Sequence, residues 1–398
     1  MHRAPALNFL LVTVFLDMLG LGIIVPIIPA LMTTVTDDPA TAVYWSGVLG
    51  STYGVLQFAV SPLLGRLADR YGRRPVLLAS LTLLGVDWLA HAAGPGPWTL
   101  LIFHALAGAC AGTNTVVNAY VADVTPPAER ASAYGRIGAA FGLGFVAGPI
   151  LGGLLGGIDV RLPFLAAAAL SFAGVAYGWF VLPESRPGDR VTSLSLRTSN
   201  PVGAIAVVLR RPVLGRLAYA RMASDIARMT HQSVWTFFLA YQFLFSTTMV
   251  GVVMAVSALA GAVFQARAVG PIVRVLGDKR AAVIGTLISA AAFAGTAVAS
   301  TPAQLYTLQA VGILGSIAGA ASQSWLSGVV GPDEQGTVQG ALTGIGAVAE
   351  TVVPVTAGAV FAWSLSYATP GLIFLAAAAF TAASALLLST TPAIREPA

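Results

Sequence analysis

Runs of about 20 apolar residues, each closed by a charge, a proline or a glycine, recur twelve times along this chain. A helix of that length spans about 30 Å, the thickness of bilayer hydrocarbon. In hydrocarbon every backbone N–H and C=O must be bonded within the segment itself or within a closed barrel. A barrel needs short segments of alternating character, and these runs are too long and too continuous for that. The runs cover 7–31, 44–64, 75–93, 98–121, 132–157, 162–182, 213–243, 249–269, 280–299, 303–328, 336–361 and 370–390. The expected fold class is an all-α polytopic membrane protein with twelve transmembrane helices.

Composition points the same way. Only 9% of residues are charged and 57% are hydrophobic, whereas a soluble domain is about one quarter charged. The 43 glycines suit helices that pack in lipid through small side chains. A net charge of +5 raises the question of nucleic acid, but the basic residues lie scattered in short loops without aromatic interleaving. They are read as topology signals and contacts with membrane lipids, with no nucleic-acid partner. The single Cys110 leaves no internal disulfide to form. The N-terminal apolar run is too long for a cleavable signal, contains Asp17 and lacks an A-x-A end.

Loop charge alternates. Arg66 to Arg74, Arg130, and Arg274 to Arg280 follow spans 2, 4 and 8, while the loops around Asp37–Asp38, Gly94–Pro97, Ser246 and Thr301 hold no Lys or Arg. Arg161 is the one exception. By the positive-inside rule both termini and the 183–212 segment face the cytoplasm of a multi-pass protein in the cell's inner (plasma) membrane. That segment is the expected linker between a six-helix half at 1–182 and another at 213–398. An internal repeat supports the division: Gly65, Gly72, Pro127, Glu129 and Pro149 recur as Gly270, Gly277, Pro332, Glu334 and Pro354, all displaced by 205. The halves are therefore expected to be pseudo-symmetric, with a substrate site at the membrane midplane between them.

The densest charge cluster is Gly65-Arg-Leu-Ala-Asp69-Arg70-Tyr-Gly72-Arg73-Arg74-Pro75, between two apolar runs. Such charges belong at a membrane surface in a tight hairpin. The string resembles the G-x-x-x-D-R-x-G-R-R loop between helices 2 and 3 of major facilitator superfamily transporters. Gly144-Phe-Val-Ala-Gly148-Pro149-Ile-Leu-Gly152-Gly153 places small residues on one helix face beside a proline, which permits close packing and a bend. It resembles the G-x-x-x-G-P-x-x-G-G motif of drug/proton antiporters in that superfamily.

Few ionisable groups lie inside the spans, and each costs a few kcal/mol at a helix centre. Asp17, Asp87, Asp225 and Glu350 are the candidates for proton coupling, because a carboxyl in an apolar cleft can take up and release protons at working pH. Asp225 has Arg221 and Arg228 on its own helix face, so an ion-paired structural triad and a substrate site both fit it. Glu350 precedes Pro354 by one turn. Gln57, Asn114, Asn118, Arg228 and His231 are candidate substrate contacts. The amides equally suit hydrogen bonds between helices. His91, His104 and His231 can shuttle protons, but none stands at metal-ligand spacing with another, and neither a metal nor a cofactor is expected.

Matches to the twelve-helix drug/proton antiporters, and most of all to the tetracycline efflux proteins, run through most of the chain. They include Leu16-Asp17 with Pro26 and Pro29, Tyr53 to Gln57, Ala122-Asp123, Val234-Trp235 and Phe264-Gln265-Ala266. The resemblance implies coupling or drug-binding roles for Asp17, Gln57 and Asp87. It implies a cytoplasmic gate at Gly65, Asp69, Arg70, Gly72, Arg73 and Arg74, with Gly148 and Pro149 at the flexing helix. The chain departs from the family pattern where His104 replaces an arginine and where Gly261 and Ser289 replace a histidine and an aspartate. Asp225, Arg228 and Glu350 are extra charges. The expected function is proton-coupled efflux of a drug-like small molecule, a tetracycline being one candidate, by a monomer. The alternative is a proton-coupled uptake symporter for a small organic anion or zwitterion. An enzyme is not expected, since no nucleophile–base or metal motif is present.

Overall fold

The computed structural model describes residues 3–94, 96–110, 113–125, 129–185, 208–329 and 335–392. Every regular element among them is helical. The first span is α1 (Arg3–Ile24), a 3-10 turn (Val25–Ile27) and α2 (Ile28–Thr36). Pro26 and Pro29, with no N–H to give, fall where the α-helical ladder changes register. Next come α3 (Pro39–Tyr71), α4 (Arg73–Ala93), α5 (Pro97–Ala109), α6 (Thr113–Val124), α7 (Arg130–Ile158) and α8 (Leu162–Val181). The second six spans are α9 (Pro212–Gln242); α10 (Thr247–Phe264) leading through a π-helical turn (Gln265–Val269) into α11 (Gly270–Leu276); α12 (Asp278–Val298); α13 (Pro302–Gly315) with α14 (Ile317–Val329); α15 (Gln335–Leu365); and α16 (Leu372–Thr390). Pro271, which has no N–H to offer Arg267, directly follows the widened turn.

Among the described residues, nine helical spans are long and apolar enough to cross a membrane by length and composition. Of the other three, α3 and α9 carry more charged side chains, and the fourth span is divided into α5 and α6, each too short to cross alone. Prolines at the first helical position open α3, α5, α9 and α13, where a missing N–H costs nothing. At the start of α3 the Asp38 carboxylate accepts from Thr41 N at 2.7 Å, and these hydrogen bonds hold it below the usual carboxylate range. Thr301 and Gln304 close a reciprocal capping box at α13.

The expected hairpin at Gly65–Pro75 is shorter than its charges suggest. Helix α3 continues to Tyr71, and Gly72 alone separates it from α4. Gly72 has φ +105° and ψ 155°, and Gly277, its counterpart 205 positions on, has φ +75° and ψ 155°. Both are backbone settings that glycine adopts without strain. The repeat extends to the residue two places beyond each glycine. Arg74 Nη2 donates to Trp179 O in the last turn of α8, and Lys279 Nζ donates to Thr391 O just past α16. Each cation thus meets the negative end of the sixth helix in its own half. Pro149 and Pro354, another repeat pair, both lie inside unbroken helices. Pro127 and Pro332 lie outside the described residues.

The chain divides into two compact units, Met1–Ser195 with Phe245–Val256, and Leu196–Leu244 with Ser257–Ala398. In the first, α1 lies against α7 and α8, α4 against α8, and α3 against α5. In the second, α16 packs on α9 and α12. Lipid is as apolar as leucine, so it is close packing that holds such helices together.

Candidate functional site

Three clusters of polar groups stand out, two in the first unit and one in the second. In the first unit, Asp87 of α4 is fully buried. His104 Nδ1 on α5 lies 2.8 Å from Asp87 Oδ2, and His91 Nδ1, one turn along α4, lies 3.2 Å from Asp87 Oδ1. His91 Nδ1 also sits 2.9 Å from the Asp87 backbone carbonyl. The two imidazole centroids are 5.3 Å apart, and Trp88, Phe164 and Tyr53 surround them. The nearest nitrogen and oxygen atoms of the three residues fall within 4.8 Å of one another. His104 Nδ1 thus bonds the Asp87 carboxylate and His91 Nδ1 bonds the Asp87 backbone carbonyl, while Asp87 Oδ1 faces His91 across 3.2 Å with no hydrogen-bond partner of its own among the described residues.

Glycine sets the geometry. A Cβ on Gly108, one turn beyond His104, would stand 2.8 Å from the Tyr53 backbone, so α3 and α5 touch there. That approach brings the Tyr53 ring to 5.0 Å from His104. Tyr53 is within electrostatic reach of both Asp87 and Asp17. Asp17 on α1 keeps Oδ1 buried with no hydrogen-bond partner among the described residues. Gln57 lies one turn beyond Tyr53 on α3 and is partly buried. Asn114 and Asn118 fall on α6, but their side chains lie outside the described residues.

The helix-7 glycines work on two sides. Cβ atoms on Gly144, Gly148 and Gly152 would meet α1 backbone at 2.6, 2.5 and 2.0 Å, at Phe15 O, Gly22 Cα and Ile23 O. On the other side Thr248 Oγ1 donates to Gly153 O at 2.9 Å, and a Cβ on Gly251 would lie 2.2 Å from Pro149 O. Pro149, inside α7, thus sits at a place where neighbouring backbones touch.

At the start of α4, Glu184 occupies the turn. Its carboxylate accepts from Arg73 N at 2.8 Å and Arg74 N at 3.2 Å, filling the cap that glycine cannot supply. Arg73 is buried and its Nε meets Asp123 Oδ2 at 3.2 Å. Ser185 Oγ donates to the same oxygen at 3.1 Å, and Tyr120 OH donates to Pro183 O at 2.6 Å. Arg70 lies over the Tyr71 ring at 5.4 Å. Gly65 and Asp69 are in the last turns of α3, and their surroundings lie outside the described residues. In the sequence Glu184 falls in the 183–212 segment and Asp123 has no assigned role; the Leu182-Pro183-Glu184-Ser185 string at the end of span 6 is a local sign of a turn.

In the second unit a cavity of about 400 Å³ is lined by Arg221, Asp225, Arg228, His231, Phe293 and Gln323, among others. Asp225 is buried and accepts from Arg221 Nε at 2.8 Å. Arg228 Nη2 is 3.5 Å from Asp225 Oδ1 and 3.7 Å from Glu350 Oε1, so one guanidinium joins both acids loosely. The ion-paired arrangement and the cavity wall are the same residues. His231 stacks on Trp235 at 4.5 Å, giving the cavity an aromatic side one helical turn from its charged side. Ser289 also lines it, against Gly315. Gly261 has nothing within 4 Å of where a side chain would begin.

The sequence profile of the Major Facilitator Superfamily matches residues 10–230 and 217–398. The chain is 34% identical to the class C tetracycline resistance protein of Escherichia coli, over 100% of this chain and 98% of that one. It is 32% identical to the class G tetracycline resistance protein of Vibrio anguillarum, over 86% of each. Among solved structures, the human organic anion transporter MFSD10 superposes with a TM-score of 0.69 at 22% identity, covering 98% of this chain and 100% of that one. That likeness is one of fold.

Proposed function

Because the chain belongs to the Major Facilitator Superfamily, we propose that it is a proton-coupled antiporter that exports a drug-like small molecule, tetracyclines included, across the inner membrane. The observation that carries this reading is end-to-end similarity to a tetracycline resistance protein. Asp17 and Asp87 take the coupling proton. Asp17 has a buried oxygen without a hydrogen-bond partner among the described residues, and buried polar atoms without partners are rare enough to need a reason. Arg228 and His231, with Asp225 between charge and cavity, contact the drug, and Glu350 tunes Arg228. Gln57, Asn114 and Asn118 complete the polar contacts.

The turn at Gly65, Asp69, Arg70, Gly72, Arg73 and Arg74 gates the cytoplasmic side, where both termini lie, and α7 flexes at Gly148 and Pro149. The halves 1–182 and 213–398, joined by 183–212, alternate access in a monomer. Drug and proton must each bind the two states unequally, since equal binding shifts nothing. Testing requires accumulation and susceptibility in efflux-deficient cells across a compound panel that includes tetracyclines. Wild type should lower accumulation, and Asp17→Asn or a protonophore should each abolish the effect. Wild-type protein present in the membrane without effect on any compound would sink the export reading and favour uptake of an anion or zwitterion.

A further inference from the structure

Two imidazoles converge on the buried Asp87. His91 Nδ1 is 2.9 Å from a backbone carbonyl oxygen, which only accepts, so His91 keeps its proton on Nδ1. His104 Nδ1 is 2.8 Å from Asp87 Oδ2, so against an ionised Asp87 a neutral His104 also keeps its proton on Nδ1. Both imidazoles are then left with Nε2 as the open basic atom. With neutral rings and an ionised Asp87 the triad carries one negative charge. One further proton makes it neutral overall.

We propose that Asp87, His91 and His104 form a single proton-binding unit of the transport cycle, in which the transported proton resides on an imidazole and passes through His104. The step is a simple transfer. A proton from water forms an N–H bond at Nε2, the resulting imidazolium pairs with the Asp87 carboxylate, and the same bond later breaks to return the proton to water on the other side. Neutralising a buried negative charge lowers the cost of keeping the group in an apolar surround. His104 is the port because its side chain is 17% exposed, against 7% for His91 and 0% for Asp87. The proposal rests on the proton-coupled reading above and replaces a lone carboxyl with a three-residue carrier.

The neighbouring helices bring little that competes. Helix α3 contributes Tyr53, its ring tilted against His104 and within reach of Asp17 on α1. Helix α8 presents Phe164 and carries no acidic, basic or histidine residue. On α6, Asp123 and Tyr120 are engaged with Arg73 and Pro183, about four turns away along α4. Helix α5 carries no other charge.

Two measurements on the full chain test this. In lipid nanodiscs, nitrogen-15 spectra of labelled histidine should show His91 and His104 titrating as an interacting pair, with both curves displaced in Asp87→Asn. Two independent curves, unchanged by that substitution, would overturn the proposal whether or not any drug is transported. In everted vesicles with tetracycline as the probe, His104→Gln should lower gradient-driven accumulation about tenfold or more and flatten its pH profile, while the purified variant melts near wild type. Gradient-driven accumulation within about twofold of wild type, with its pH profile intact, would also overturn it. Failure of wild type to move tetracycline counts against the export reading, and the spectra then decide the triad alone.

Discussion

At the scale of single residues, Gly72 and Glu184 are one device. Gly72 holds φ +105°, and a Cβ there would stand 2.2 Å from Glu184 Oε2. Gly72→Ala should cost about 1–2 kcal/mol in backbone strain and displaced contact. Glu184→Gln should cost about 1–2 kcal/mol through weakened caps at Arg73 and Arg74. An alanine at 72 already pushes the carboxylate away, so melting of the double variant should fall short of the summed losses. The acids of the second unit behave differently from each other. Asp225 is buried against Arg221 at 2.8 Å, while Glu350 meets Arg228 at 3.7 Å with both side chains about half exposed. Glu350→Gln should move stability by less than about 1 kcal/mol. Asp225→Asn should lower the melting temperature clearly more, because it leaves Arg221 beside a buried neutral group. Equal effects would mean that the two acids share one role. Sequence spacing showed the Arg221–Asp225–Arg228 face because it is local to about two turns of one helix. It did not show Glu184 against Arg73, which is 111 positions distant.

At the scale of elements, charge and helix end proved to be different things. The Arg and Asp residues after span 2 mark where hydrocarbon stops, yet α3 runs on to Tyr71. A helix leaving the bilayer has water to solvate its charged side chains and no reason to unwind until glycine breaks it. The α7 glycines were legible as a pattern, but the pattern did not say which neighbours they meet. Gly148 faces Gly22 backbone at 2.5 Å from a would-be Cβ, whereas Gly142 has nothing within 4 Å. Gly148→Ala should therefore cost about 1–3 kcal/mol by overpacking α1 against α7. Gly142→Ala should be neutral or gain up to about 1 kcal/mol from helix propensity. Thermal melts of the two purified variants check the contrast. A similar loss in both would mean that close approach is not what these glycines serve.

At the scale of the whole molecule, the internal repeat makes its own prediction. Gly277 shares the positive φ of Gly72 but has no neighbour within 4 Å of a Cβ among the described residues. Gly277→Ala should therefore cost only backbone strain, about 1 kcal/mol, and less than Gly72→Ala in the same melting assay. A larger loss at Gly277 would mean that the second turn has a partner of its own. The twelve spans, their all-α class and the 205-residue repeat were determined by the sequence alone. In lipid the backbone must satisfy itself within each segment, so length and apolarity suffice to set the element. Only the tertiary structure decided that His104 joins His91 at Asp87, that Asp17 is left with an oxygen unpartnered among the described residues, and that Arg228 reaches Glu350. Those pairings depend on which helix faces touch. Packing of small residues sets that choice, and no spacing along the chain encodes it.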